Sequence, residues 1–227
     1  MQYSTFAAID IGSYDVILEI FEISKKQGIR SVDKICHRME LGKDTYTLGK
    51  IRPEMEEELC RVLADFVRIM EGYRVDAYRA MASSAISEAA NSLYVLGKIR
   101  QLTGLSVTVL SNSEQRFLGY KALAAMEDNF NKVIEKGTAI LDLDGGSFQI
   151  SLFDKDALVT TQNIRMGSLR IRERLAGIQS ETEHYEEMVE ELIWNEVSSF
   201  KKMYLKDRKI ENIMLIGDVF TDSVYQN

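Results

Sequence analysis

Proline is nearly absent from this chain: Pro53 is the only one in 227 residues. A rigid proline-rich spacer between domains is thereby excluded. Cysteine is almost as scarce. Cys36 and Cys60 form no metal-type cluster, and two buried or indifferent thiols of a cytoplasmic protein are the expectation. Of the two histidines, His37 falls in a strand-like run and His184 in a charged helix. Neither has a plausible nucleophile beside it, so no Ser-His-Asp arrangement is expected. No apolar run approaches the roughly 20 residues that a membrane-spanning helix needs. The sequence opens directly into a strand, and no cleavable signal is expected. Positive charge is short as well, with 28 basic against 35 acidic residues and a net charge of −7. That balance argues against a nucleic-acid groove. It also means that the field of the whole molecule does not draw in a polyanion, so a phosphate site must rely on local amides, local Arg or Lys and a divalent metal. The basic cluster Lys201, Lys202, Lys206, Arg208 and Lys209 reads as the solvated face and end of a helix.

What is present is an ordinary globular composition, 45% hydrophobic and 28% charged, and one internal duplication. Phe6-Ala7-Ala8-Ile9-Asp10-Ile11-Gly12-Ser13 leads into the alternating run Val16 to Phe21. Far downstream, Thr138-Ala139-Ile140-Leu141-Asp142-Leu143-Asp144-Gly145-Gly146-Ser147 leads into Phe148 to Phe153. Each is an apolar strand, an Asp, a Gly/Ser turn and a second strand. Such a turn is suited to binding an anion through its N–H groups, and the Asp beside it can hold a metal. Two such hairpins, one per domain, can take hold of one phosphate chain.

Around the hairpins the pattern predicts strands over 5–10, 16–24 and 30–41, and then a helix opened by Pro53 and running to about residue 72. A strand follows over 77–82, then a helix capped by Ser84 towards Leu102 and ended by Gly104. A strand over 106–110 and the polar turn Ser111 to Glu114 lead into a helix to about Met126. The polar stretch 129–136 reads as the crossing between domains. Strands over 138–143, 147–154 and 157–164 repeat the opening, with helices over 168–176 and 181–205 and a strand over 212–216. The order is that of two ribonuclease H-like α/β domains with mixed sheets, residues 1–128 and 137–227, the second one shortened. The edge that a shortened second sheet exposes predicts a homodimer.

The motifs resemble those of the exopolyphosphatase/guanosine pentaphosphate phosphohydrolase (Ppx/GppA) family, within the wider actin and sugar-kinase fold group. Ala8 to Ser13 and Asp142 to Ser147 match its two phosphate loops. Ala82 to Ala89 resembles its A-T-S-A-x-R-x-A segment, and Ser111 to Arg116 its S-G-x-E-E-A-R turn. Leu41-Gly42 with Gly49 and Arg165 to Arg170 also have counterparts, and Ile216 to Thr221 sits where the family has G-x-G-G-T. The resemblance implies metal-assisted release of a terminal phosphate from polyphosphate or from a phosphorylated guanosine nucleotide. It implies Glu114 as the general base that activates water, and Gly12, Ser13, Gly145, Gly146 and Ser147 as phosphate-binding residues. It implies Asp142 and Asp10 as ligands of Mg²⁺ or Mn²⁺. The chain departs from the pattern at Tyr14-Asp15, at Ser87 in place of a phosphate-binding Arg, at Asp144 in place of a Gly, at Phe148-Gln149 in place of Thr-Glu, and at Asp218-Val219-Phe220. These departures make the loops more acidic. They define the alternative expectation, a catalytically impaired relative that binds a phosphorylated ligand or a protein partner.

Overall fold

The computed structural model describes residues 3–127, 129–179 and 184–217. The chain parts into two compact units, residues 1–112 and 113–227. In the first unit β1 (Ser4–Ile11), β2 (Asp15–Ser24) and β3 (Gly28–Arg38) form an antiparallel meander. Then come α1 (Leu41–Leu48), α2 (Pro53–Gly72), β4 (Ala77–Ala82), α3 (Ser84–Ser87), α4 (Ser92–Thr103) and β5 (Val107–Val109). The sheet order is β3-β2-β1-β4-β5, with β4 parallel to both β1 and β5. Alternation places Ala7, Ile9 and Ile11 of β1 and Val16, Leu18 and Ile20 of β2 in the core, each wholly buried. Leu59, Leu63 and Phe66 of α2 and Val95 and Ile99 of α4 belong to the same core.

Two local expectations are corrected here. Residues 41–48, read as the end of a strand and a turn, form α1, which closes on Gly49 in the left-handed region at φ 71°. The single helix expected over 84–102 is two helices, broken between Glu88 and Asn91. The break lets Asn91 reach back, its Oδ1 accepting from the Ile51 amide at 3.0 Å and its Nδ2 donating to the Ile51 carbonyl at 2.8 Å. Nor does Ser84 cap: Ser83 occupies the N-cap position, with no side-chain capping bond.

The second unit carries α5 (Asn112–Met126), α6 (Phe130–Ile134), β6 (Thr138–Leu143), β7 (Phe148–Asp154), β8 (Ala157–Ile164), α7 (Ser168–Gln179), α8 (Tyr185–Tyr204) and β9 (Asn212–Gly217). Its sheet order is β8-β7-β6-β9, with β6 antiparallel to β7 and parallel to β9. It repeats β3-β2-β1-β4, and the described residues hold no counterpart of β5. The division falls ahead of the 129–136 stretch expected as the crossing. The reason is packing: Tyr120 and Leu123 of α5 lie with Phe130, Ile134, Ile140 and Phe153 on one face of the second sheet. The Tyr120 ring meets Phe153 edge-on at 5.2 Å between centroids. On the other face, Phe148, Ile150, Leu152 and Ile164 pack with Phe200 of α8. Residues 181–183 of the expected last helix, and 218–221 of the final family-like turn, lie outside the described residues.

Candidate functional site

The hairpin after β6 is fastened from behind by α7. The Ser168 amide donates to the Asp144 carbonyl at 3.2 Å, and the Arg170 amide to the Gly145 carbonyl at 3.1 Å. Arg170 Nε donates to the Gly146 carbonyl at 2.9 Å. In a trans peptide the N–H points opposite to the preceding C=O. Three successive carbonyls anchored on α7 therefore turn the amides of Gly145, Gly146 and Ser147 to the opposite side. A loop so held can receive an anion through backbone amides. Gly167 makes the approach possible, since a Cβ there would stand 2.3 Å from the Asp144 carbonyl oxygen and 2.4 Å from the Ser147 nitrogen. The Ser147 hydroxyl is oriented by Asn163 Nδ2, which donates to it at 3.2 Å.

The first turn of α5 lies at this same loop. Gln115 Nε2 donates to Asp144 Oδ2 at 3.0 Å. Arg116 donates to Thr161 on β8 at 3.1 Å, and Tyr120 to Ser151 on β7 at 2.6 Å. Burial, foremost, pushes the Tyr120 hydroxyl above its ordinary pKa, so it stays a neutral donor. These bonds fix the helix whose first turn carries Glu114, an exposed side chain.

The first hairpin is built differently. The Gly12 amide donates to the Asp15 carbonyl at 2.9 Å, inside its own turn. A Cβ on Gly12 would stand 3.0 Å from that same oxygen. Ser13 is 1% exposed, and its hydroxyl lies 2.7 Å from Tyr46 Oη and 3.4 Å from Ser84 Oγ. The Gly12 amide and the Ser13 hydroxyl, both expected to hold phosphate, thus bond to the loop itself and to Tyr46 and Ser84. The Ser13 carbonyl accepts from the Gly42 amide, and the Tyr14 carbonyl from the amides of Met39 and Glu40.

Asp10 is exposed near the end of β1, and Asp142 is half-buried near the end of β6. Asp142 pairs across the ladder with Gln149, which is 6% exposed. Among the described residues no three His, Cys, Asp or Glu side chains gather as a cation cage. Mg²⁺ and Mn²⁺ suit hard oxygen donors, and Mg²⁺ usually takes one or two protein carboxylates and completes its shell with water and substrate phosphate. The Asp142 carboxylate, near the end of β6 and ahead of the Gly145–Gly146 turn, fits that donor set. Partial desolvation, then the field of Asp15, raises the pKa of Cys36, and burial raises that of Cys60.

The sequence signalled the loops and Glu114, and it placed Gln115 and Arg170 inside family-like motifs without giving them a role, whereas Asn163 and Tyr46 carried no signal. The one available signal was Gly167, a glycine just ahead of a helix where backbones must approach closely.

The chain is similar to a bifunctional 3-dehydroquinate synthase/phosphatase of Fusobacterium nucleatum, 22% identical over 174 residues, 74% of this chain and 26% of that protein. It is also similar to exopolyphosphatase 1 of Mycobacterium leprae, 25% identical over 144 residues, 63% of this chain and 41% of that protein. The chain thus spans less than half the length of these relatives. Its fold is that of the Ppx/GppA family member of Aquifex aeolicus, with a TM-score of 0.72 at 22% identity, over 100% of this chain and 72% of that one. A more distant likeness is the ethanolamine utilization protein EutJ of Carboxydothermus hydrogenoformans, with a TM-score of 0.53 at 15% identity, covering 96% of this chain and 77% of that one. The Ppx/GppA phosphatase family pattern runs through residues 19–226, and the chain belongs to that family.

Proposed function

We propose that this chain carries the site of a phosphoanhydride hydrolase that releases terminal phosphate from polyphosphate, with a phosphorylated guanosine nucleotide as the second candidate substrate. The carrying observation is the 3.0 Å bond from Gln115 to Asp144. It ties the helix turn that bears Glu114 to the hairpin whose amides are assigned to phosphate. Polyphosphate comes from the exopolyphosphatases among the relatives. A cytoplasmic setting accords with two free thiols.

In this reading the amides of Gly145, Gly146 and Ser147 and the Ser147 hydroxyl bind and orient the terminal phosphoryl group. Glu114, at the positive end of α5, takes a proton from the attacking water. Asp142 is the carboxylate assigned to Mg²⁺ or Mn²⁺, and Asp10 is its counterpart in the first unit. A divalent ion held there would offset charge that develops on the phosphoryl oxygens. Arg170 acts through the loop by fixing the Gly146 carbonyl.

The test is phosphate release from short-chain polyphosphate and guanosine pentaphosphate with Mg²⁺ or Mn²⁺, with Glu114→Gln run beside it. Metal-dependent release that falls about 10²-fold or more in the variant supports the assignment. Release unaffected by the variant removes Glu114 from the mechanism. No release from folded wild-type protein favours the second reading, a relative that binds a phosphorylated ligand or partner without turnover. The observation behind that reading is Gln149, a buried amide opposite Asp142, which cannot accept a proton at neutral pH.

A further inference from the structure

The two hairpins correspond residue by residue. In each, four residues link the last ladder pair of its strands, Ile11–Val16 in the first and Leu143–Phe148 in the second. Each turn is bridged at its base by one bond, from the Gly12 amide to the Asp15 carbonyl at 2.9 Å and from the Asp144 amide to the Ser147 carbonyl at 3.1 Å. Asp15 therefore stands where the second loop has Ser147. The first loop is also held from behind by its carbonyls. That of Ser13 accepts from the Gly42 amide at 2.9 Å, and that of Tyr14 from the amides of Met39 at 2.9 Å and Glu40 at 2.8 Å. These bonds turn the amides of Tyr14 and Asp15 to the opposite side, as the α7 contacts do for Gly146 and Ser147.

The two loops differ in the side chain at the last position. A serine hydroxyl can donate to a phosphate oxygen, whereas an ionised carboxylate only accepts, and it repels the phosphate. A cation offsets that carboxylate. Arg38, the last residue of β3, donates from Nε to Asp15 Oδ1 at 2.9 Å and from Nη2 to Asp15 Oδ2 at 3.3 Å. Its guanidinium also lies over the Tyr14 ring, 5.3 Å from the centroid. Two consecutive residues of the turn thus hold one guanidinium beside it. The Asp15 side chain is 17% exposed and that of Arg38 59%, so an arriving anion can reach the cation. The planar fork that grips a carboxylate grips a phosphate in the same bidentate way. Asp15 thereby occupies the fork as an internal anion.

We propose, resting on the hairpins as the phosphate site, that Arg38 is the phosphate-binding cation of the first loop and that Asp15 competes with the polyanion for its guanidinium. A polyphosphate takes over the fork from Asp15, and the Tyr14 ring keeps the guanidinium beside the loop during the exchange.

The experiment is calorimetric titration at fixed Mg²⁺ with a methylene-bridged triphosphate, whose bridges resist hydrolysis. Circular dichroism confirms that each variant is folded. Asp15→Asn should bind about tenfold more tightly than wild type, because the competing charge is gone. Arg38→Ala alone does not decide the matter, since it also strands the Asp15 charge. In the Asp15→Asn background Arg38→Ala should still weaken binding about tenfold or more. Arg38→Lys in that background should fall between, because the charge stays and the fork is lost. Equal affinity of Asp15→Asn and Asp15→Asn with Arg38→Ala overturns the proposal, and Arg38 then only neutralises Asp15. Binding unchanged or weakened by Asp15→Asn overturns the competition. Either result leaves the phosphate site standing. Absence of binding in folded wild type and in Asp15→Asn alike removes the phosphate site, and the role of Arg38 with it.

Discussion

The hydroxyl of Ser13 stands 2.7 Å from that of Tyr46, and the Tyr46 hydroxyl stands 2.8 Å from that of Ser84. Three hydroxyl groups from the first hairpin, α1 and the start of α3 thus share one network. Tyr46→Phe keeps the ring and removes its central member. The expected cost is about 1 kcal/mol of stability, the size of one net hydrogen bond, read as a lowered urea midpoint with unchanged slope. Ser84→Ala should cost a similar amount, and the double variant less than the sum, because the two changes cut the same network.

This network marks the boundary of what could be read in the chain. The hairpins were legible because their strands alternate with period two and end in Gly/Ser turns. The long helix α2 was legible because its apolar residues keep a helical period behind Pro53. α1 was not. It has only eight residues and starts after Glu40, a non-glycine residue in the left-handed region at φ 55°, without a side-chain cap. Glu88-Ala89-Ala90 reads as helix by propensity, yet the chain breaks there. Asn91 is tied to Ile51 and Glu56, 40 and 35 residues away. The same holds at the candidate site. Glu114 and the second loop were visible as motifs, whereas the Arg170 contact to Gly146 spans 24 residues and leaves no local trace.

Asn91 gives a second test. Its Nδ2 also donates to Glu56 Oε1 at 2.7 Å, and Glu56 is only 4% exposed. Lys98 supplies a second contact to the same carboxylate at 3.4 Å. Asn91→Ala leaves the Ile51 amide and carbonyl without their side-chain partner and strips a donor from a buried charge. The expected loss is about 2–3 kcal/mol, measured by denaturant unfolding.

Glycine substitutions should separate sharply by position. Gly97 lies inside α4, is exposed, and has nothing within 4 Å of a Cβ. Gly97→Ala should raise stability by about 1 kcal/mol through helix propensity. Gly167→Ala places its methyl 2.3 Å from the Asp144 carbonyl oxygen, where only backbone can yield. The expected outcome is a displaced second loop, with destabilisation of about 2 kcal/mol or more and loss of any phosphate release. Paired thermal melts and activity assays distinguish the two cases directly.

Labelling of the thiols gives a pH test. Cys36 is exposed and Cys60 buried, and both pKa values are raised, by partial desolvation first in each case. In the native protein Cys36 should react with a disulfide reagent and Cys60 only after unfolding. The half-point of Cys36 labelling should lie above that of a free thiol, because the reactive form is the thiolate. As to stability, a raised folded pKa favours the folded protein while both thiols are protonated. That contribution is whole below the unfolded thiol pKa of about 8.5 and is lost as pH rises from there through the folded values. Unfolding midpoints should therefore fall on the alkaline side in wild type, and fall less in a Cys60→Ala variant.

The last prediction concerns affinity for the polyanion. Asp144 places a carboxylate on the loop proposed to bind phosphate, and Gln115 holds that carboxylate in place. At about 5 Å and an effective dielectric near 20, one like charge costs a bound phosphate oxygen roughly 3 kcal/mol before screening. Salt and solvent exposure reduce that figure, so a tenfold effect, about 1.4 kcal/mol, is the reasonable expectation. Asp144→Asn removes the charge and keeps an amide oxygen to accept from Gln115, so the loop and the start of α5 stay in register. Polyphosphate should then bind about tenfold more tightly at fixed Mg²⁺, and the gain should shrink as salt rises. Calorimetry across a salt series measures both. If binding instead weakens and recovers only at raised Mg²⁺, Asp144 serves the ion as a ligand, and the acidic loop is a metal site in its own right.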